Sequence, residues 1–396
     1  MDIHAAACVD SFVVLWILPV GKVADGGVRH LFRFLRRVGA LNGHPENQCS
    51  KADNDGKTGL RHHSLYKTAI RAEYNLPQET RRYYGNETIM KILITGAGGN
   101  LGRAIIPALT EAGHSLRLFD FRDLGETGVE TIVGDVRNID DFRTAVSGVD
   151  AIVHAAALHG IHLAKWRPED FWAINVTGTF NIYEAAREAG VKRVVLCSTM
   201  GVYGDSARPP EDGWSVVDES NALLPGDVYG MSKQLCEEMA AVYARKWGIT
   251  TVALRLGMFV PESNIDKYGF RLLFGGVDDR DVAQAVNLSL THEPEGGFDA
   301  FNIMAPLTYL PSDAQALHTD PLAVLEQRFQ GCNALFTEKG IDARPLIWGR
   351  TLWPVSKAID ELGYRPQYGF DGYLSTLRSG TNENYYPPQG LPWWGV

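Results

Sequence analysis

Two side chains on one predicted helix have the chemistry of a proton carrier. The stretch "YGMSK" places Tyr229 and Lys233 four residues apart, on one face of a helix that continues to about Gly248. A free phenol ionises at a pH of about 10, which is too high for a base at neutral pH. A neighbouring ammonium group and a positively charged ring would stabilise the phenolate and lower that pKa. The pair therefore predicts removal of a proton from a substrate hydroxyl.

A hydroxyl-bearing strand end precedes this helix. The stretch "CSTMGVYG" closes a buried strand and places Ser198 and Thr199 at its carboxyl end. Open α/β sheets bind their ligands at that edge. We expect Thr199 to hold the substrate oxygen beside Tyr229, and Ser198 to contact the substrate as well.

A glycine-rich loop opens the patterned part of the chain. In "TGAGGNLG", Gly96, Gly99 and Gly102 leave the backbone free to turn sharply and to approach a pyrophosphate closely. Asn100 and Leu101 begin the next helix, whose first N–H groups and positive dipole end would face the phosphates. The loop therefore predicts a dinucleotide site.

The end of the next strand indicates which dinucleotide binds. Asp120 lies 24 residues after Gly96, where a carboxylate accepts hydrogen bonds from ribose hydroxyls and repels the extra phosphate of NADP. NAD is expected over NADP, with Arg117 and Arg122 near enough in sequence to favour NADP instead. Asp135, at the end of the third strand, is expected to accept a bond from the adenine amino group.

The elements that must position these residues alternate between strand and helix from Met90 onward. Continuous apolar strands between amphipathic helices predict a doubly wound parallel Rossmann sheet, of class α/β, with a small C-terminal substrate lobe. The predicted organisation is a poorly structured extension at 1–89, a nucleotide-binding domain at 90–256 with a return around 276–304, and a substrate lobe and tail at 257–275 and 305–396.

Composition excludes several classes of partner. The net charge is −9 and the acidic part follows the extension, so a nucleic-acid partner is not expected. The 5 cysteines show no metal or disulfide spacing and indicate reduced thiols in a cytoplasm. The apolar segment Phe12–Val20 is too short to span a bilayer. His154, His159 and His162 lack a carboxylate partner in sequence, so no metal is expected.

The glycine loop, the Asp120 strand and the Tyr229–Lys233 helix, in this order, closely resemble the extended short-chain dehydrogenase/reductase family, the NAD-dependent epimerase/dehydratase group. The resemblance covers about residues 90–304, with a looser match at Pro354–Pro366. It implies an enzyme in which Tyr229 is the catalytic base, Lys233 its partner and a cofactor ligand, and Thr199 the substrate hydroxyl. It also implies that several residues lie along the cofactor: Val136, Ala155, Ala156 and Asn175.

The same resemblance narrows the reaction. Met200 and Gly201 stand where the dehydratases carry an Asp-Glu pair, so dehydration is not expected. Only about a dozen residues separate Ser263 from Gly276, whereas nucleotide-sugar members carry a longer segment that holds the nucleotide. This shortening is similar to that of uronate dehydrogenases, which oxidise a free sugar acid at C1. By that likeness Arg271 would pair with a substrate carboxylate.

Two departures leave alternatives open. Met200 stands where uronate dehydrogenases carry a substrate-binding Asn, and the chain continues for about 100 residues past the point where they end. The main prediction is a sugar or sugar-acid dehydrogenase without a membrane partner, with a homodimer as the candidate assembly. The alternatives are a nucleotide-sugar 4-epimerase and a non-catalytic NAD-sensing Rossmann protein.

Overall fold

The structure is a computed structural model that describes residues 88–259, 262, 264–347 and 349–381. The chain divides into two units, and all described residues belong to the second, Pro77–Val396. The predicted extension up to residue 87, including Phe12–Val20, lies outside the described residues, as does the aromatic tail from Asn384.

Seven parallel strands form the central sheet in the order β3-β2-β1-β4-β5-β7-β8. A separate parallel pair joins β6 to β9. The strand bounds are β1 Lys91–Thr95, β2 Ser115–Asp120, β3 Glu130–Val133, β4 Ala151–His154, β5 Arg193–Thr199, β6 Ser215–Val216, β7 Thr250–Leu256, β8 Phe298–Ile303 and β9 Thr351–Leu352. The order reverses between β1 and β4, which is the switch point at which doubly wound sheets bind ligands.

Helices cover both faces of this sheet and build a further lobe. Their bounds are α1 Asn100–Glu111, α2 Ile139–Ala145, α3 Pro168–Phe171, α4 Gly178–Ala189, α5 Val228–Trp247, α6 Ile265–Arg271, α7 Asp279–Ser289, α8 Ala314–Thr319, α9 Pro321–Arg328, α10 Cys332–Lys339 and α11 Phe370–Ser379. A π-helical stretch, Trp172–Thr177, joins α3 to α4, and another spans Ala358–Leu362. The predicted α/β doubly wound fold is confirmed.

The alternation of side chains along β1 shows why both faces must be covered. Ile92 and Ile94 belong to the hydrophobic core on one face, and Leu93 belongs to the core on the other. Successive side chains of a strand point to opposite faces, so an uninterrupted apolar strand is stable only between two helical layers.

A third hydrophobic core holds the C-terminal lobe together. Phe270 of α6 lies 5.5 Å from the ring of Phe336 in α10 and 5.3 Å from the ring of Phe370 in α11. Tyr309 and Leu317 belong to the same core. The lobe therefore packs directly on α6, the helix that carries Arg271.

Within the described residues, no helix has the length and apolar character needed to cross a bilayer.

Candidate active site

The loop between β1 and α1 is packed so tightly that only glycine fits at two positions. Gly96 has a φ of +68°, and a Cβ there would lie 2.7 Å from the Cα of Ala156. A Cβ on Gly102 would lie 2.3 Å from the carbonyl oxygen of Ala97. These contacts bring the loop against the end of β4 and bring α1 against the loop. The backbone, rather than side chains, forms this side of the site.

The start of α1 is presented without a side chain in front of it. Gly99 is the N-cap residue, with extended backbone, so its position offers only main-chain atoms. Asn100 and Leu101 follow as the first helical residues, and the Leu101 side chain is buried in the core. The first N–H groups of α1 are suited to an anionic group such as a pyrophosphate.

Asp120 lies at the end of β2, beside this loop, and is buried. One carboxylate oxygen accepts a bond from the backbone N–H of Gly98 at 2.9 Å. The other accepts bonds from the backbone N–H of Arg122 at 3.0 Å and from its Nε at 3.1 Å. The carboxylate is therefore fixed at the loop, with one arginine against it.

Arg117 does not lie where the alternative of NADP binding requires it. Its Nε binds the Glu130 carboxylate at 2.8 Å, and its Nη1 donates to the carbonyl oxygens of Ala145 and Ser147. The side chain is thereby tied away from Asp120, so this part of the expectation is wrong. Of the two arginines, Arg122 is the one that lies beside Asp120, as was expected of both.

Asp135 follows β3 instead of ending it, and it is bound within the protein. Its two carboxylate oxygens accept bonds from Arg137, which holds the pKa of Asp135 below its usual value. Its neighbour Val136 contacts Gly178 and accepts a bond from Asn181 at 2.9 Å. An adenine amino group would therefore compete with Arg137 for Asp135.

The end of β4 is connected to β1 through one hydroxyl that sequence analysis missed. Thr95 Oγ1 accepts bonds from the backbone N–H groups of Ala155 and Ala156, both at 3.2 Å. The same hydroxyl lies 2.8 Å from Nδ1 of His154, whose other ring nitrogen is 3.1 Å from Thr179. Thr95 directly precedes the first loop glycine, which is the signal that could have revealed it.

The three predicted catalytic side chains are brought together at the carboxyl end of β5. The Thr199 hydroxyl and the Tyr229 ring border the same glycine, since a Cβ on Gly201 would lie 3.4 Å from Thr199 Oγ1 and 3.9 Å from Tyr229 Cε1. Thr199 accepts a bond from the backbone N–H of Gly201 at 3.1 Å. Lys233, one turn after Tyr229 on α5, donates from Nζ to the carbonyl oxygen of Cys197 at 2.8 Å. The helix and the strand thus meet at these side chains.

Burial dominates the electrostatics of this group in the protein alone. Burial raises the pKa of Tyr229, and the nearby Thr199 hydroxyl opposes that rise. Burial also lowers the pKa of Lys233. The expectation that the ammonium and the ring of bound NAD⁺ together lower the tyrosine pKa stays a prediction, because it concerns the protein with its cofactor, and burial dominates in the protein alone.

Asn175 serves a different purpose from the expected contact with the cofactor. Its Oδ1 accepts a bond from the Leu158 N–H at 2.7 Å, and its Nδ2 donates to the Leu158 carbonyl at 3.0 Å and to Ser232 Oγ at 2.9 Å. The amide is buried. Asn175 thus fastens the loop after β4 to α5, so its expected role is corrected to a structural one.

Ser198 is also turned inward. Its hydroxyl donates to the Glu237 carboxylate at 2.5 Å, and the residue is buried. The side chains of a strand alternate between faces, so Ser198 and its neighbour Thr199 point in opposite directions. The expected contact of Ser198 with the substrate is therefore wrong.

His159 lies against Tyr229, the predicted catalytic base, in a position that the sequence did not predict. Its ring centroid is 4.9 Å from that of Tyr229. Burial, with smaller contributions from His162 and Lys233, lowers the pKa of His159 to about 4, so its ring is neutral at neutral pH. The described residues contain no group of three or more His, Cys, Asp or Glu side chains able to hold a metal ion.

Arg271 is buried on the inner side of α6 and is not a surface residue. Its guanidinium lies 3.4 Å from the Glu262 carboxylate and 5.5 Å from the centre of the Tyr268 ring. The aliphatic part of the same side chain lies 2.8 Å from where a Cβ on Gly276 would stand. The arginine is therefore placed to meet a carboxylate, and Glu262 already provides one.

A wall of this site comes from a segment late in the chain. A Cβ on Gly275 would lie 2.8 Å from Nε1 of Trp353 and 3.1 Å from the Met200 methyl group. Met200 directly follows Thr199, so Trp353 reaches the surroundings of the catalytic strand end. The short segment before Gly276 was expected to leave this side open. Trp353 and the helical lobe, which packs on α6, rebuild part of it.

The sheet is doubly wound, with a glycine loop at its switch point and a Tyr–Lys–Thr group at the end of β5. Together these features define a class of nucleotide-dependent proteins. The family model for the "NAD dependent epimerase/dehydratase family" matches residues 92–267. Over 206 residues, covering 50% of this chain and 71% of the relative, the chain is 31% identical to the uronate dehydrogenase of Pseudomonas putida. The chain belongs to the NAD dependent epimerase/dehydratase family.

Other relatives carry two different activities in their names. A uronate dehydrogenase of Pseudomonas syringae pv. tomato is 36% identical over 176 residues, which span 43% of this chain and only 60% of that protein. A UDP-glucose 4-epimerase of Streptomyces lividans is 31% identical over 41% of this chain and 50% of that protein. A short-chain dehydrogenase/reductase superfamily structure from Agrobacterium tumefaciens with bound NAD is 25% identical, with a TM-score of 0.55 over 73% of this chain and 97% of that one.

Proposed function

We propose that this protein is an NAD-dependent oxidoreductase that removes hydride from a hydroxyl of a free sugar or sugar acid. The observation that carries the proposal is the meeting of Tyr229 and Thr199 around Gly201 at the carboxyl end of β5, with Lys233 one turn further along α5. This group lies on the strand and helix that follow the glycine-loop half of the sheet. A reacting hydroxyl bound there would meet both a proton acceptor and a cofactor.

The residues present fit a dinucleotide. A side chain at Gly96 or Gly102 would not fit, because the loop packs tightly against β4 and α1. Gly99 has no side chain, so the start of α1 stays uncovered. We assign the pyrophosphate to this loop, the adenosine ribose to Asp120 and the nicotinamide ribose to Lys233. When bound, NAD supplies the hydride acceptor and a positively charged ring.

The proton is handled by the protein. Thr199 holds the substrate hydroxyl, and the oxygen of Tyr229 accepts its proton as the hydride leaves. Burial keeps Tyr229 a neutral phenol, so loss of its own proton requires positive charge close by. The ammonium of Lys233, itself buried, is the charge that the chain provides.

The proposed substrate class is a sugar acid, because Arg271 is buried and its guanidinium already pairs with a carboxylate, that of Glu262. The contact between Glu262 and the guanidinium is long, at 3.4 Å, and Glu262 is partly exposed. A substrate carboxylate would join or replace it, and the fork-shaped guanidinium suits two oxygens at once. The relatives named as uronate dehydrogenases support this choice.

The test is a substrate screen with the full chain. Free uronates, neutral aldoses and nucleotide sugars are each offered with NAD⁺, and NADH formation is followed by absorbance. The proposal expects NADH from uronates and less from the neutral sugars. NADH formation from none of the free sugars, together with turnover of a nucleotide sugar, would reject it.

A nucleotide-sugar 4-epimerase is the second candidate, favoured by the similarity to UDP-glucose 4-epimerases and by the helical lobe on α6. An epimerase returns the hydride to its substrate, so it releases no NADH. Calorimetry with UDP and dTDP separates the two functions. Micromolar binding of either nucleotide would favour the epimerase, and weak binding of both favours the dehydrogenase.

A further inference from the structure

A buried ionic network lies directly behind the catalytic side chains. The Glu237 carboxylate accepts the Ser198 hydroxyl at 2.5 Å and a bond from Arg255 Nη2 at 2.8 Å. The side chains of Arg255 and Glu237 are only 8% and 4% exposed. Glu237 thereby binds two strands at once, because Ser198 ends β5 and Arg255 lies in β7.

Further contacts extend the network to a third strand. Arg255 Nη1 donates to the hydroxyl of Tyr203 at 2.9 Å, and its guanidinium carbon lies 5.0 Å from the centre of that ring. The Tyr203 hydroxyl in turn donates to Asn302 Oδ1, in β8, at 2.8 Å. Each polar group of this network thus has a partner in the protein, as a buried charge requires.

The network connects the two elements that carry the proposed chemistry. Glu237 lies one turn after Lys233 on α5, and Ser198 directly precedes Thr199 on β5. The contact between Glu237 and Ser198 therefore fixes how far the helix with Tyr229 lies along the strand with Thr199. The two hydroxyls that must act on one substrate oxygen are carried by these two elements.

Stability alone does not account for a charged pair in this place. Removing two charges from water is costly, and an apolar pair of similar volume in the interior is often as stable or more stable. A short hydrogen bond to a charged group, however, sets a distance and a direction that apolar contacts leave loose. Small displacements of catalytic groups have large effects on rate.

We propose that Glu237, held by Arg255, is a positioning residue that sets the placement of Thr199 relative to Tyr229 through its bond with Ser198. This inference rests on the proposed function, since it requires those two hydroxyls to act together. It predicts that loss of the network lowers the rate of hydride transfer and leaves cofactor binding intact.

The main variant replaces the charged pair as a whole. Glu237→Leu combined with Arg255→Met leaves no unpaired buried charge, so the protein should keep a melting temperature near that of wild type. With the best substrate of the screen, kcat should fall by about tenfold to a hundredfold, because the catalytic groups are displaced. KM and the Kd for NAD, measured by calorimetry, should stay near the wild-type values.

A second variant keeps the test decisive if the first does not fold. Ser198→Ala removes only the hydroxyl that joins Glu237 to β5 and leaves Arg255 paired. It should lower kcat in the same direction, by a smaller factor, again without a change in KM. Combining it with the double variant should add little, because both remove the same contact.

The matched control is Tyr183→Phe. It removes a buried bond of 3.0 Å between the hydroxyls of Tyr183 and Thr251, near the start of β7 and far along that strand from Arg255. Any loss that comes from weaker packing alone should appear there too. We expect Tyr183→Phe to lower the melting temperature and to leave kcat unchanged.

The results distinguish a failure of the positioning role of Glu237 from a failure of the proposed function. Wild-type kcat in a folded double variant, or in Ser198→Ala, would overturn the positioning role. An equal loss of kcat in Tyr183→Phe would also overturn it, because the effect would then be one of packing. If Tyr229→Phe retains turnover as well, the proposed function itself fails, which is a different result.

Discussion

The two halves of the site are built in different ways. On the cofactor side, backbone groups and missing side chains form the surface: Gly96 and Gly102 are placed where any Cβ would collide with a main-chain atom. On the side that we propose for the substrate, the surface residues are Arg271, Glu262 and Trp353, and they are held by side-chain packing. A backbone surface tolerates almost no substitution, whereas a side-chain surface allows a change of substrate within one fold.

Loss of the Tyr229 phenol, the proposed catalytic base, should have the largest effect. Tyr229→Phe keeps the ring and removes only its oxygen, so the loss of a general base should lower kcat by about 10²–10⁴-fold. The backbone-built cofactor side does not involve this oxygen, so the Kd for NAD should stay unchanged by calorimetry. A parallel loss of NAD binding would contradict the separation of the two halves.

Loss of the proposed carboxylate reader should come next. Arg271→Ala removes a charge-assisted bidentate contact worth about 1.5–3 kcal/mol, so kcat/KM for uronates should fall roughly tenfold to more than a hundredfold. Neutral aldoses should be much less affected. Arg280→Ala offers a matched control on the next helix, α7, because Arg280 pairs with Asp278 instead. Equal losses for charged and neutral sugars in Arg271→Ala would show that Arg271 only supports packing.

Cofactor preference should change more modestly. Asp120→Ala removes the expected ribose acceptor and the repulsion of a 2′-phosphate while leaving Arg122 in place. NAD should bind more weakly, NADP more tightly, and their ratio should shift by about tenfold, the value of one charge-assisted hydrogen bond. The measurement is the Kd of both dinucleotides. Tighter binding of NADP than of NAD by wild type would show that the assignment of Asp120 is wrong.

Truncation should have the smallest effect. A chain beginning at Met90 keeps β1, which starts at Lys91 and, among the described residues, pairs with β2 and β4 from later in the sequence. We expect the same melting temperature and the same Kd for NAD as for the full chain. A fall of several degrees in the melting temperature would show that residues 1–89 contribute to the folded protein.

The cofactor-binding half of the site could be predicted from the sequence because its motifs are local. The glycine loop, Asp120 and the pair of Tyr229 and Lys233 each lie within one strand–loop–helix unit, and the family and the doubly wound fold that they predicted are confirmed. Their individual roles stay predictions. Periodicity and turn chemistry report on neighbours in sequence, and this is the range over which these residues act.

The predictions that were wrong concern side chains whose partners lie far away in sequence. Asn175 was expected at the cofactor, yet its amide binds Ser232, 57 residues later. Ser198 was expected at the substrate, yet its hydroxyl binds Glu237, 39 residues later. The contact of Trp353 with the catalytic strand end likewise depends on how the lobe folds back. No spacing rule within a single sequence encodes such contacts.

The central claim is that this protein moves hydride from a free sugar acid to NAD. The most direct measurement uses a uronate carrying deuterium at C1, incubated with NAD⁺ and the full chain, with mass spectrometry of the nicotinamide product. We predict that NADH accumulates with one deuterium, and that Tyr229→Phe nearly abolishes its formation. Accumulation of no labelled NADH, with a UDP-sugar instead converted to its epimer, would contradict the account.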